Sequence, residues 1–411
     1  MNSKERLQKA IAGRPTDVPA VAPQYLSLYL DEHCRRLYEA VYVRKLASAA
    51  EAVHRVDHAE DSRLRAEAIL GAYDVFSEQP DWIHTVPGES RAWAQKGEIH
   101  LADGRCTYVD RASGEATSLQ EANCLLLPTS MRHACRVPTS RTDVWDETAG
   151  LRTRADIDAL CPVRTADELD RDGVFEVTRG LAQAAGDRVS ISCIAPTPFW
   201  STYGLLGFQG MMVMMRESPG LFCYLMERRH RQHWETLKGL ARAGVDTVWV
   251  EECLSSADLI SPGDYERFAF STTQRFIQDA NELGLTVILY YCGDVMPRLP
   301  WLKRLGMAAL AVEESKKAFA VDIGEVIKRA GDVCCIFGNV DSIHVVHEGS
   351  AETLAADVDR QLRLGALARG FVLCQGSPFP LETDPKKIDL LIRYARRNSS
   401  LSYQGASHEK K

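Results

Sequence analysis

The run Leu285-Thr286-Val287-Ile288-Leu289-Tyr290-Tyr291-Cys292-Gly293-Asp294 decides the fold. Val287, Ile288 and Leu289 show no polar alternation, the pattern of a strand buried on both faces in a parallel sheet. Gly293 permits a sharp turn and Asp294 supplies a cap for the next segment. Further strand-like runs lie at 189–194, 247–250, 308–312, 333–337 and 371–374. Helical patterns separate them at 166–172, 174–185, 219–243, 261–284, 297–305, 322–330 and 350–369. Such alternation demands a parallel sheet. The number of repeats and their short connections predict an α/β fold, a closed (β/α)8 TIM barrel rather than an open doubly wound sheet. No GxGxxG turn and no phosphate loop supports a dinucleotide fold.

Before the barrel, residues 3–13 read as a helix ended by Gly13, and 18–23 as an extended segment. Residues 26–36 and 44–70 carry helical spacing without proline. Ile99 to Asp110, with Asp103-Gly104 between two β-rich runs, is a hairpin signal. Residues 1–150 are therefore expected as N-terminal helices and an antiparallel hairpin packed on the barrel, 151–400 as its main part, and 401–411 as a flexible tail. Stretches 128–138 and 142–150 read as irregular.

In a parallel barrel, reactive side chains collect at the carboxyl ends of the strands. Three strand-like runs end in Cys292, in Glu313-Glu314 and in Cys374. Thiolate and carboxylate are both ordinary zinc ligands, so Cys292, Glu313 and Cys374 form a candidate metal set. Taken alone, Cys292 reads equally as one more half-buried thiol among twelve cysteines. His54 and His58 stand at i and i+4 of a predicted helix, which suits a metal, but no further ligand accompanies them and a solvated face fits better. Trp200, Phe208, Trp249 and the run Met211 to Met215 suit an aromatic pocket or, more commonly, plain core.

A hydrophobic content of 45% and a charged content of 26% are those of an ordinary globular protein of 411 residues. The net charge of −7 argues against broad binding of nucleic acid or an anionic membrane. No apolar run reaches the length of a membrane span. The opening Met1-Asn2-Ser3-Lys4-Glu5-Arg6 leads into a charged helix rather than a secretory leader. Cysteines without framework spacing, including the adjacent Cys334-Cys335, fit a reducing cytoplasm.

Several stretches, in order along nearly the whole chain, resemble the uroporphyrinogen decarboxylase superfamily, which also holds the zinc-dependent, corrinoid-linked methyltransferases. They are Glu5-Arg6-Leu7 with Arg14-Pro15-Thr16-Asp17-Val18-Pro19, Ala195-Pro196 through Tyr203-Gly204, Ser261-Pro262 to Phe268, Tyr291-Cys292-Gly293-Asp294, Phe337-Gly338-Asn339-Val340-Asp341 and Ser350-Ala351-Glu352. The decarboxylase branch holds porphyrinogen carboxylates with arginines near its N-terminus. The corresponding stretch, Pro23-Gln24-Tyr25-Leu26-Ser27-Leu28-Tyr29-Leu30, has none. Gln and Ser do not replace a bidentate guanidinium. Tyr203 matches a tyrosine of the decarboxylase pattern and serves either branch.

The methyltransferase branch carries His-x-Cys and a later Cys as zinc ligands. Cys292 and Cys374 match the cysteines, whereas Tyr290 stands at the histidine. Val312-Glu313-Glu314-Ser315 is similar to a segment of cobalamin-independent methionine synthases that adds a Glu ligand, favouring Glu313. The fourth ligand is left open between Tyr290, water, substrate and a carboxylate such as Glu251 or Glu252. The resemblance thus implies a zinc-dependent methyltransferase moving a methyl group between a small donor (an aryl methyl ether, or methanol-like) and a corrinoid protein. The site would include Tyr203, Tyr290 and Asp294, with Asn339, Asp341 and His344 toward the corrinoid. No Asp-x-His-x-x-Gly motif is present, so cobalamin would arrive on a separate protein; a homodimer is compatible. Transfer to a thiol, decarboxylation, and a metal-free barrel that only binds a partner are the alternatives.

Overall fold

The computed structural model describes residues 1–49, 51–119, 151–316 and 318–397. The expectations for 128–138, 142–150 and the tail lie outside these residues. Seven parallel strands form one sheet: β1 (Trp82–Thr85), β2 (Ser190–Pro196), β3 (Thr247–Glu252), β4 (Thr286–Tyr291), β5 (Ala309–Val312), β6 (Cys335–Phe337) and β7 (Phe371–Val372). They are paired in sequence order from β1 to β7. Beyond the two outermost strands, Ala22 N–H donates to Leu373 O (3.0 Å) and Leu373 N–H to Ala20 O (2.9 Å), while Asp81 N–H donates to Val21 O (2.9 Å). The predicted extended segment thus bonds to residues at both edges of the sheet.

β4 is buried at five of its six residues, as its unbroken apolar run requires. Its pleat sends Ile288 and Tyr290 to one core and Val287, Leu289 and Tyr291 to another. The smaller core is rich in aromatics: Trp82, Trp249, Tyr25, Tyr290 and Phe337. The larger core joins the other face of the sheet to the helices. Met211, Met214 and Met215 lie there, on the helix Tyr203–Glu217, so they are core and not pocket lining. Helix starts carry their own signals: Ser261 accepts from Asp264 N–H (3.1 Å) with Pro262 behind it, and Ser350 from Thr353 N–H (3.2 Å). Gly284, at φ +78°, turns the helix Ser271–Glu282 into β4.

Two expectations are corrected. The helical stretch 44–70 is broken: one helix runs Leu26–Ala49, a strand Val53–Arg55 comes next, and a second helix spans His58–Ala72. Val53 and Val56 favour extended backbone, and Asp57 caps the second helix by accepting from Glu60 N–H (2.9 Å). His54 and His58 therefore do not share a helix face. His54 lies 3.0 Å from Lys45 Nζ, and His58 Nε2 lies 2.9 Å from Glu89 O. Strand β1 is absent from the predicted series, because Trp-Ile-His-Thr has no apolar run to mark it. A separate antiparallel sheet holds Val53–Arg55, Gly97–Ala102, Arg105–Asp110 and Ala116–Ser118. Its hairpin turns at Asp103-Gly104, both at positive φ.

Candidate active site

The site forms where β3 and β4 end. Pleat alternation puts Trp249, Glu251 and then Cys253 on one face, beside Ile288, Tyr290 and then Cys292. Below the polar groups lies an aromatic floor. Trp249 stacks on Tyr290 (centroids 5.1 Å, 26°), and Tyr25 meets both edge-on at 6.0 and 5.8 Å. His84 packs against Trp82 (4.2 Å) with both ring nitrogens unpartnered, and burial holds its pKa down at about 3.

Glu251 is 5% exposed. Tyr25 Oη donates to one carboxyl oxygen and Trp200 Nε1–H to the other (3.3 Å). Burial pushes the Glu251 pKa up, more than these two donors pull it down. Tyr203 stacks on Trp200 (5.0 Å, 14°), linking it to this carboxyl at one remove. Tyr290 Oη reaches across to donate to Gly376 O (2.8 Å), just past β7. The tyrosine at the predicted histidine place therefore bonds the far side of the sheet.

Cys292 has a partner that sequence reasoning missed: Cys253 Sγ lies 3.0 Å from its sulfur. Burial and neighbouring carboxyls keep both thiols above their ordinary pKa, and for Cys253 contact with the second thiol is the largest cause. The signal was present, since Cys253 comes directly after β3 as Cys292 comes directly after β4. Glu313 sits at the next strand end, where a carboxyl oxygen accepts from Gly293 N–H (2.7 Å); burial raises its pKa. Its neighbour Glu314 turns away to Lys316 (2.6 Å) and Ser377 (2.9 Å).

Cys374 is not drawn into this group. Its thiol is directed at Gln375 O (3.2 Å), and Glu314 is the carboxylate that acts on it. Among the described residues, no three His, Cys, Asp or Glu side chains stand together as a set able to hold a metal ion. The donor chemistry of Cys292, Glu313 and Cys374 suits zinc, but their placement does not fit it, so no chemical step is assigned to zinc. Asp294 acts as a cap, accepting from Met296 N–H (3.3 Å). Asp341 likewise accepts from Ile343 and His344 N–H (2.9 and 2.7 Å), and from the His344 ring (2.9 Å). His344 is itself exposed. The Asn339 amide donates to Glu313 O (3.1 Å) and Val321 O (3.3 Å). Gln24, in the stretch where the decarboxylase branch has arginine, is tied into the protein. Its amide donates to Gln375 O (2.8 Å), and Gln375 returns a bond to Gln24 O (2.7 Å).

The uroporphyrinogen decarboxylase (URO-D) family model matches residues 137–398, more than half of the chain. The chain belongs to the uroporphyrinogen decarboxylase family. Among curated relatives, the uroporphyrinogen decarboxylase of Geobacter sp. (strain M21) is 24% identical over 255 residues, 61% of this chain and 71% of that one. Methylcobamide:CoM methyltransferase MtbA of Methanosarcina mazei is 26% identical over 128 residues, 31% of this chain and 36% of that one. Methylcobamide:CoM methyltransferase MtaA of Methanosarcina barkeri is 24% identical over 203 residues, 49% and 58%. The match thus spans less than two thirds of either methyltransferase. A solved methyltransferase from Methanosarcina mazei shares the fold at TM-score 0.61 and 18% identity, covering 97% of this chain and 99% of that one. Relatives named for decarboxylation and for methyl transfer are thus similarly identical to this chain, at 24–26%, with the decarboxylase match covering more of it. No described helix is long and apolar enough to cross a membrane.

Beneath the site, Glu252 faces the outer core, where Thr197 Oγ1 donates to it (2.7 Å). Burial lifts its pKa from an ordinary 4.5 to about 7. The folded chain then holds a proton that the unfolded chain releases, so stability is full below the unfolded pKa and is lost as pH rises through about 7. The loss amounts to about 3 kcal/mol. Urea midpoints taken across that range are expected to fall with pH, and to fall less for Glu252→Gln.

Proposed function

We propose that this chain removes a methyl group from a small methyl ether, of the aryl methyl ether or methanol-like class, and passes it to a corrinoid carried by a separate protein. The observation that carries this reading is Glu251, a buried carboxyl held by Tyr25 and Trp200 at the strand ends. A methyl ether is a poor methyl donor because its oxygen must depart as an anion, and a proton supplied to that oxygen lowers the barrier. Glu251 gives the proton as the C–O bond breaks. Tyr25 and Trp200 then steady the carboxylate left behind. The corrinoid supplies the nucleophile that takes the methyl group.

Other residues fill supporting parts. Trp200 and Tyr203 offer stacked rings for an aromatic substrate beside the acid. Tyr290 and Trp249 form the apolar floor, and the Asn339–Asp341 loop carries His344 outward toward the corrinoid protein. We read the sheet as the family's (β/α)8 barrel, with 18–23 taking the eighth strand position. Tyr290 stands where the thiol-methylating branch is expected to carry histidine, which is why the demethylating direction is preferred. The relatives named methylcobamide:CoM methyltransferase support a second reading, in which the methyl group moves to a small thiol.

Decarboxylation is disfavoured because Gln24 and Tyr25 bond within the protein and Pro23 to Leu30 offers no guanidinium. Incubation with uroporphyrinogen tests this. The proposal expects no CO2, and stoichiometric CO2 release would assign the chain to the decarboxylase branch instead.

A further inference from the structure

Cys253 and Cys292 stand immediately after β3 and β4, with sulfurs 3.0 Å apart. The ladder runs up to them: Glu252 stands opposite Tyr291, and Cys292 N–H donates to Glu252 O (3.0 Å). One further step in this register sets Cys253 opposite Cys292, at the spacing of neighbouring strands, about 4.8 Å. That lies within the Cα separation a disulfide bridges, and the sulfurs need to close by about 1 Å to bond. Residues Cys253 and Cys292 keep partial exposure although their sulfurs point inward, whereas Cys193, Cys334, Cys335 and Cys374 are buried throughout.

The loops beyond the two strand ends are clamped to each other, so the pair is held in place. Ala257 N–H donates to Asp294 O (3.3 Å) and Asp294 N–H to Asp258 Oδ1 (3.1 Å). Buried Arg298 bonds Ser255 O (3.2 Å) and Ile260 O (2.6 Å). Gly293, at φ +83°, passes so near Ser256 that a Cβ there would lie 2.5 Å from its Oγ.

We propose that Cys253 and Cys292 are a thiol-modification site, converted to a disulfide by a small disulfide oxidant of the glutathione class. One protein thiolate attacks the oxidant's S–S bond, giving a mixed disulfide and releasing one small thiolate. The second protein thiolate attacks the protein sulfur of that adduct, forming the Cys253–Cys292 bond and releasing the second. The two protons lost by the cysteines go to the two small thiolates, and two electrons reduce the oxidant. Oxidation takes Cys292 out of thiol form beside Glu251. That consequence rests on the proposed function, but formation of the bond does not.

The test is oxidation of the reduced full chain with glutathione disulfide, then alkylation, digestion and mass spectrometry. The expected result is a peptide pair joined through Cys253 and Cys292, lighter by two hydrogens and separated again by dithiothreitol. Exposed Cys223 should show only a glutathione adduct. Cys253→Ser should abolish the cross-link and leave a glutathione adduct on Cys292, and Cys292→Ser should give the converse. If both cysteines stay alkylatable under conditions that fully modify Cys223, or Cys292 couples to a different cysteine, the proposal is overturned. The readout requires no methyl-transfer activity, so it stands or falls separately from the function.

Discussion

Glu251→Gln is expected to lower the turnover of methyl ether cleavage by about 10²–10⁴-fold, the ordinary contribution of a positioned general acid. The amide keeps the shape of the carboxyl: its single oxygen accepts from Trp200 Nε1–H, and the Tyr25 hydroxyl can turn to accept from its NH2, so folding and substrate binding should change little. The loss should therefore fall on kcat and leave KM near its original value. A second variant separates acid catalysis from packing. Tyr25 and Trp200 donate to the carboxylate and so pull its pKa down. Tyr25→Phe removes one donor, raising that pKa. An acid acts in its protonated form, so the alkaline fall of kcat should move to higher pH in Tyr25→Phe and be missing in Glu251→Gln. Steady-state rates across pH check both. An unchanged kcat in Glu251→Gln would remove this carboxyl from the chemistry.

Asp81→Ala is expected to destabilise the fold by about 3–5 kcal/mol, the usual cost of breaking a buried ion pair from one side. Asp81 is fully buried and accepts from Arg6 (2.7 Å), Arg396 (3.1 Å) and Val21 N–H (2.7 Å). One carboxylate thus gathers the helices Ser3–Ile11 and Pro385–Arg397 and the extended segment against the start of β1. Its loss leaves a buried N–H unpaired and two guanidiniums short of a partner. Asp81→Asn keeps an acceptor without the charge and should cost less. Urea unfolding measures both, and a change under 1 kcal/mol in Asp81→Ala would show that the three elements are held by apolar packing alone.

The alternating segments of the second half were readable because parallel strands buried on both faces leave unbroken apolar runs such as Val287 to Leu289. β1 lacked that signature: Trp82 and His84 face an aromatic interior that only the assembled sheet provides. The helical reading of 44–70 failed where Asp57 offered a cap and Val53 found a strand partner in His100. At the site, the sequence places Cys292 and Glu313 at strand ends, and the structure makes those strands, β4 and β5, neighbours. Cys253 ended a strand in the same way, yet pairing it with Cys292 required the β3–β4 register, which sequence does not state. Cys374 lies two residues past the end of β7 rather than at its end as expected, and it faces Gln375 and Glu314, because side-chain neighbours there are set by the loops around the strand. Tyr25 was read only as a missing arginine. Its bond to Glu251 joins residues 226 apart along the chain, beyond the reach of any local pattern.

Addition of the chain and an aryl methyl ether to a reduced corrinoid protein, with the cobalt absorption spectrum monitored over time, tests the central claim most directly. The predicted result is conversion of the reduced corrinoid to its methylated form, with one phenol released per cobalt and the rate greatly reduced in Glu251→Gln. A reduced corrinoid whose spectrum stays unchanged across methyl ethers and methanol, together with a methylated corrinoid that stays unchanged with thiol acceptors, would contradict methyl transfer and leave the family fold without the proposed chemistry.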